Sequence, residues 1–314
     1  MGLFLIKMLH SCAAAVAEGE TELLNIGLKW ISCNVSDDGD EPVQRLVSLF
    51  ADALARRVVH PWLQHRITAP AHEAAAARRH FAAMCPFLRI SGVVANHAKF
   101  VDAIRVRSGK VLVIVSTLQL HRLLADEITE MSSPHQYRKG KKIQAHGAQQ
   151  HTMTRADTLL RALHQLSPKL VVVKKQGAYH NSADFKERFR NALVYYRALF
   201  DALEESVHAR GSAEEQACVQ RHLLRLEIMD IISHDGALRR DRHEKVERWA
   251  ARMNTAGFAP AAAMRQDVVA QVTMLAQELL PSGAYRVSRV NDGRLFICRN
   301  AIPMFSISTW HGIG

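Results

Sequence analysis

Apolar positions in residues 2 to 102 recur at helical spacing: Leu3, Ile6, Leu9 and Ala13 share one face, and so do Leu46, Leu49, Phe50, Ala53 and Leu54. The turn SDDGDEP at 36 to 42 separates two of these helices, with Pro42 suited to a first helical turn. A proline-marked loop from His60 leads into another helix through Met84, which Pro86 stops. Strand character arrives only with VLVIV at 111 to 115, an apolar run rich in β-branched residues. Its uniformity predicts a strand covered on both faces, with parallel neighbours.

An amphipathic helix around Leu118 to Glu127 follows, then a polar stretch, SSPHQYRKGKKIQAHGAQQH at 132 to 151, that reads as a linker. Arg155 to Leu166 predicts a helix and Leu170 to Val173, after Pro168, a second buried strand. On a long helix from Ala183 to Val207, the residues Phe185, Phe189, Leu193, Tyr196, Phe200 and Leu203 form one buried stripe. Further helices are expected at 213 to 232, 243 to 256 and 265 to 280. The chain closes with alternating runs: YRVSRV, an Asn291-Asp292-Gly293 turn, LFICR and MFSIS. An Asp-Gly turn between alternating runs predicts an antiparallel hairpin. The expected fold is α/β: a helical cap over 1–102, then an α/β core over 103–314 holding a doubly wound sheet edged by the hairpin.

Composition narrows this little. A chain of 314 residues with 48% apolar content can build one large α/β domain or two small ones. Five scattered cysteines, with no C-x-x-C pair, suggest packed thiols of an intracellular protein and not a disulfide framework or a zinc knuckle. A net charge of +11 permits nucleic-acid or acidic partners without requiring them. In the apolar start, Lys7 and His10 interrupt any signal-peptide pattern, so a packing helix is expected. No apolar run is long enough to span a membrane.

Local chemistry is sparse. Seventeen histidines include no H-E-x-x-H; His72-Glu73 and His243-Glu244 read as helix-surface pairs. No G-x-S-x-G elbow surrounds a serine, and no motif marks a base for Cys85. The turns after Val115 and Val173 lack the glycine spacing that admits a pyrophosphate. Lys174 and Lys175, expected just past the end of the second strand, stand where open α/β sheets bind ligands, and two cations there suit a phosphate or acidic partner. The runs Arg138, Lys139, Lys141, Lys142 and Arg239, Arg240, Arg242 suit nucleic-acid phosphates or an import signal, or simply a solvated surface. No aromatic residues interleave them to stack bases.

Several segments in order resemble one family. LIKMLHSCAAAVAEG, DDGDEPVQRLVSLFADALARRVV and FAAMCPFLRISGVVANHA are similar to the leucine-rich start of the plant GRAS regulators. STLQLHRLL, LSPKLVVVKKQGAYHN, RFRNALVYYRALFDALE, EIMDIISHDGALRRDRHEKVERWAARMNTAGFAP and FSISTW continue the resemblance in family order. VRSGKVLVIVSTLQLH, RRDRHEKVERW and the GLFLIKMLHSCAAAV start point to the Scarecrow-like three subclass.

The resemblance implies a helical cap on a sheet like that of class I methyltransferases, without established catalysis and with no cofactor. It also implies a nuclear transcription regulator in gibberellin signalling and root development. Expected partners are zinc-finger transcription factors of the INDETERMINATE DOMAIN type and other GRAS proteins, including DELLA repressors, with DNA for some members. Pro168, Phe189, Tyr195, Tyr196, Arg242, His243, Glu244, Trp249, Gly257 and Trp310 match motif positions, mostly for packing and anchoring.

Four departures stand out: Lys175 for an acid, Asp235 for Glu, Arg299 for a tryptophan, and Ser308-Thr309-Trp310 for Ser-Ala-Trp. Between ANHAKF and VDAIRVRSGKV the family's Val-His-Ile-Ile-Asp strand and the elements after it are missing, so a truncated sheet is expected. A duplex-DNA binder and a truncated paralogue without function remain open beside the regulator. An S-adenosylmethionine-dependent methyltransferase would need a glycine-rich loop and a ribose-binding acid, and neither is present in this sequence.

Overall fold

The computed structural model describes residues 2–36, 39, 41–59, 67–85, 87–88, 90–92, 112–124, 153–210, 212–261, 266–279, 283–289 and 294–313. The linker at 132 to 151, its basic run, and the junction before the first strand lie outside the described residues.

Four helices open the chain: α1 (Gly2–Glu18), α2 (Thr21–Asn34), α3 (Pro42–Val59) and α4 (Ala71–Met84). The α3 stripe goes inward as the spacing predicts, and that of α1 does so in part. Leu5, Leu9 and Cys12 of α1 and Leu46, Phe50 and Leu54 of α3 are all buried. Leu3, expected on the α1 core face, is instead exposed, because the buried stripe runs through Leu5, Leu9, Cys12 and Ala13.

The first strand, β1 (Val113–Thr117), begins two residues later than the apolar run and is only half-buried. Among the described residues it pairs with β2 (Leu170–Gln176) alone, in parallel, with Val113 opposite Leu170. Both faces meet the interior as expected, Val113 and Val115 packing on one core and Ile114 on the other, but each residue is only half-buried, as suits a strand with one neighbour among the described residues. In place of a helix at 118 to 127, the described chain makes a 3₁₀ turn, Leu120–Leu124. The helix α5 (Arg155–Gln165) starts from a capping box in which Thr154 and Asp157 satisfy each other's backbone N–H groups.

The helix α6 (Phe185–Arg210) buries the expected stripe from Phe189 through Leu203. Residues 213 to 233 form α7 (Ala213–Val219), one π-helical turn (Gln220–Leu224) and α8 (Arg225–Ser233). Then come α9 (Val246–Thr255), β3 (Phe258–Pro260), α10 (Gln266–Leu279), β4 (Tyr285–Arg289), β5 (Leu295–Arg299) and β6 (Ile302–Gly312). The predicted hairpin is β4–β5, antiparallel with Val287 opposite Ile297. A second hairpin, β5–β6, turns at Asn300 and Ala301, both at positive φ (46° and 66°), as a two-residue turn between twisted strands requires.

The sheet order is β1-β2-β6-β5-β4, with β3 pairing the end of β6. It is mixed: of the doubly wound sheet expected, the described residues hold one parallel pair. Alternation along β2 sends Leu170 and Val172 to a core shared with α1, α3, α6 and α8, and Val171 and Val173 to a second core with α5, α9, Trp310 and the 3₁₀ turn. The sheet therefore lies between two helical layers, and the chain ends leaving β1 and β2 meet the loop between α8 and α9.

Candidate functional site

The carboxyl ends of β1 and β2 are where an open α/β sheet presents its ligand site. In this chain they are filled by its own side chains. The 3₁₀ turn after β1 brings in His121 and Arg122, the segment after β2 brings His180 to Ser182, and the loop 234 to 245 closes over both.

Asp241 is the anchor. Its Oδ1 lies 3.0 Å from His121 Nε2 and accepts from Arg122 Nε at 3.0 Å. Burial opposes its ionisation, but hydrogen bonds and charge from His121 and Arg122 outweigh this and hold the carboxyl below the usual range. The His121 ring stacks on His243 with centroids 4.0 Å apart, and His243 Nδ1 lies 3.0 Å from His180 Nδ1. One of two ring nitrogens in such contact must be the acceptor, so the pair cannot be doubly charged. Burial, with nearby cations, accordingly pushes His180 down to about 3 and His243 well below its ordinary value.

The loop backbone is fastened as firmly. Asp230 Oδ2 accepts the N–H groups of Arg240 at 2.6 Å and Asp241 at 2.7 Å, and His243 O accepts that of His180 at 2.8 Å. Arg188, fully buried on α6, donates to Ile231 O at 3.0 Å, to Ser182 O at 2.9 Å and to Asp235 at 2.5 Å. Tyr196 O–H donates to Glu227 at 3.0 Å, and burial raises that carboxyl to about 7.

A second chain of ion pairs runs along the other face. Glu244, 1% exposed, accepts from Asn181 at 2.8 Å and from Arg252 at 3.0 Å, while Arg252 also reaches Asp157 at 2.7 Å. Lys175 donates to Glu244 O and lies 5.6 Å from the Trp249 ring centroid. Desolvation pushes its amine down to about 7, against the pull of Glu244 and Glu247. The space left between His121, Lys175, His243 and Trp249 is about 10 Å³, enough for a single water.

These positions correct several sequence expectations. Lys174 and Lys175 do not follow the strand but belong to β2, which continues because both residues pair with β6, opposite Ile307 and Ser306. Arg239 is not a surface cation: it is 4% exposed, donates to Ser182 O at 3.1 Å, and desolvation lowers it to about 9. Arg240 is exposed, and Arg242 donates to Arg239 O at 3.0 Å. His243 and Glu244 are buried in a loop and not on a helix surface, since α9 starts only at Val246. His121, His180, Glu227 and Asp241 were not singled out from the sequence, and no local motif marks them.

The remaining motif positions are packed. Pro168, Phe189, Tyr195, Tyr196 and Trp249 are buried. Trp310 Nε1 donates to Ser308 Oγ at 2.9 Å. Gly257 sits at φ +95°, and a Cβ there would stand 2.8 Å from His164 Nε2. The departures are also accommodated. Arg299 pairs with Glu205 at 2.6 Å and donates to the Tyr285 hydroxyl at 3.0 Å, and Asp235 holds Arg57 and Arg188, each at 2.5 Å.

Class I methyltransferases bind S-adenosylmethionine at strand ends of this kind, but the residues present do not fit it. The chain leaves β1 through Leu118 and a 3₁₀ turn without a glycine, and about 10 Å³ is far below the roughly 300 Å³ of the smallest ligand sites. Among the described residues, no group of three or more His, Cys, Asp or Glu is arranged to hold a metal.

Comparison with known proteins agrees with the architecture. The crystal structure of SCL7 from Oryza sativa superposes with a TM-score of 0.73, covering 98% of this chain and 99% of that one at 19% identity. Scarecrow-like protein 3 of Arabidopsis thaliana is 25% identical over 436 aligned positions, covering 98% of this chain and 89% of that protein. So long an alignment on a 314-residue chain leaves well over a hundred positions where the relative has residues and this chain has none. DELLA protein GAI of Solanum lycopersicum is 29% identical, covering 70% of this chain and 35% of its own length. The GRAS domain family model matches residues 5–100 and 99–311, two stretches that meet where the sequence lacks the expected first half of the sheet. The chain belongs to the GRAS domain family.

Proposed function

We propose that this chain is a nuclear transcription regulator of the GRAS type that works through protein–protein contacts and not through catalysis. Its setting is gibberellin signalling and root development. Its partners are zinc-finger transcription factors of the INDETERMINATE DOMAIN type and other GRAS proteins, including DELLA repressors. The observation that carries this reading is the closed network at the carboxyl ends of β1 and β2. His121, Asp241, His180, His243, Lys175 and Glu244 occupy the place of a ligand and bind one another. A sheet whose ligand site is spent on internal pairing serves as a scaffold for outer surfaces. Relatives named as DELLA protein GAI and Chitin-inducible gibberellin-responsive protein 1, the latter from rice, support the hormone setting. A cap over residues 1–102 and a partial α/β core over 103–314 remain the proposed division, although helices of both contribute to one core.

Calorimetric titration with S-adenosylmethionine tests the non-catalytic part. The expected result is no saturable heat, and micromolar binding would overturn it. The net charge of +11 permits duplex DNA as a second reading. That reading requires affinity that falls steeply with salt. A flat salt response, or no binding at low salt, removes it.

A further inference from the structure

A second cavity, of about 310 Å³, lies away from the network, between α3 and the α7–α8 connection. It reaches the lower end of the size range of small-molecule sites. Its charged wall is cationic: Arg45 from α3, Arg221 from the π-helical turn and Arg225 from α8. No acidic or aromatic residue is among the described residues that line it. Leu49 supplies an apolar side, and Gln216 and Gln220, 7% and 8% exposed, supply amides.

The guanidinium groups are positioned. Arg45 is paired with Glu204 and donates to Gly39 O at 2.7 Å; Arg225 donates through Nη2 to Asp52 at 2.6 Å. Gln216 braces Glu204 at 2.9 Å. Arg221 is exposed and, among the described residues, makes no ion pair, so its fork of donors is available. Gln220 Nε2 is buried without a hydrogen-bond partner among the described residues. Both Gln220 and Arg221 come from the π-helical turn and line the cavity, and such turns recur at functional sites.

We propose that this cavity binds a small phosphorylated metabolite. The phosphate monoester is held by the Arg221 and Arg225 guanidiniums beside Arg45, and a compact polar body lies against the two glutamines. Planar forks match phosphate oxygens bidentately. The lack of an aromatic wall among the described residues speaks against a nucleobase, and the volume exceeds what a bare anion fills.

The test is calorimetry and thermal shift on the full chain with ribose 5-phosphate, ribose and inorganic phosphate as probes. Saturable binding of ribose 5-phosphate at millimolar or tighter affinity is expected, with no response to ribose. Arg221→Ala should weaken it at least tenfold while leaving the ligand-free melting temperature unchanged, because Arg221 is exposed and makes no ion pair among the described residues. Arg221→Lys should recover part of the loss. Four results overturn the proposal: no saturation, equal affinity for inorganic phosphate, an unaltered Arg221→Ala variant, or tighter binding of a phosphoserine peptide than of the sugar phosphate.

Discussion

Replacing Glu244 by glutamine removes one negative charge from the ion-pair chain while keeping shape. In the folded protein Glu244 accepts from Asn181 and twice from Arg252, at 2.8, 3.0 and 3.3 Å, with 1% of its surface exposed. Breaking a buried pair by removing one partner costs about 3–5 kcal/mol. The lower end applies, because Arg252 keeps Asp157 at 2.7 Å and is partly hydrated. Glu244→Gln should therefore lose about 3 kcal/mol, or about 6–12 °C in melting temperature at the 2–4 °C per kcal/mol typical of domains of comparable size.

A double-mutant cycle with Arg252→Met should return a coupling of about 2 kcal/mol, within the range for residues in one network. The charge of Glu244 also raises Lys175, so its loss should drive that amine further below about 7. Denaturant melts of the four proteins across pH measure all of this. A Glu244→Gln variant that melts within a degree of the parent, or a cycle closing to zero, would refute the reasoning.

Other expectations concern the same groups. His180 stays neutral in the fold down to about 3, whereas the unfolded chain takes up that proton near 6.5. Its contribution is complete above about 6.5 and is lost as pH falls toward about 3. Glu227 acts in the opposite sense: the folded carboxyl keeps its proton up to about 7, so its contribution is present below 4.5 and is lost as pH rises through about 7. Denaturant melts should show Glu227→Gln gaining stability relative to the parent between those values; parallel profiles would contradict this. Gly257→Ala should cost about 1–3 kcal/mol from positive φ, plus the clash with His164, and His164→Ala should relieve only the second part. Because β1 has one described neighbour, the isolated chain should self-associate through that edge, and Thr117→Lys, at the exposed end of the strand, should restore a monomer in light scattering; a monomeric parent would count against it.

Periodic features were legible in the sequence: the helical opening, the stripe of α6 and the β4–β5 hairpin all follow from spacing that each segment carries by itself. The network was not, because its partners come from four distant segments. Lys174 and Lys175 look like the end of a strand when only Leu170 to Val173 are apolar. What extends β2 is hydrogen bonding to β6, more than a hundred residues away. His243-Glu244 has the polarity of a helix surface, and only the arrival of His121, His180 and Arg252 turns it into an interior pair. Arg299 shows the same point in reverse. A charge where the family places a tryptophan looks disruptive until Glu205 and Tyr285 are seen to receive it.

The most direct test is calorimetric titration of the full chain with the zinc-finger region of an INDETERMINATE DOMAIN transcription factor at physiological salt. The account predicts a saturable complex whose affinity S-adenosylmethionine does not alter. No heat of binding at any protein concentration, with the chain folded, would contradict it.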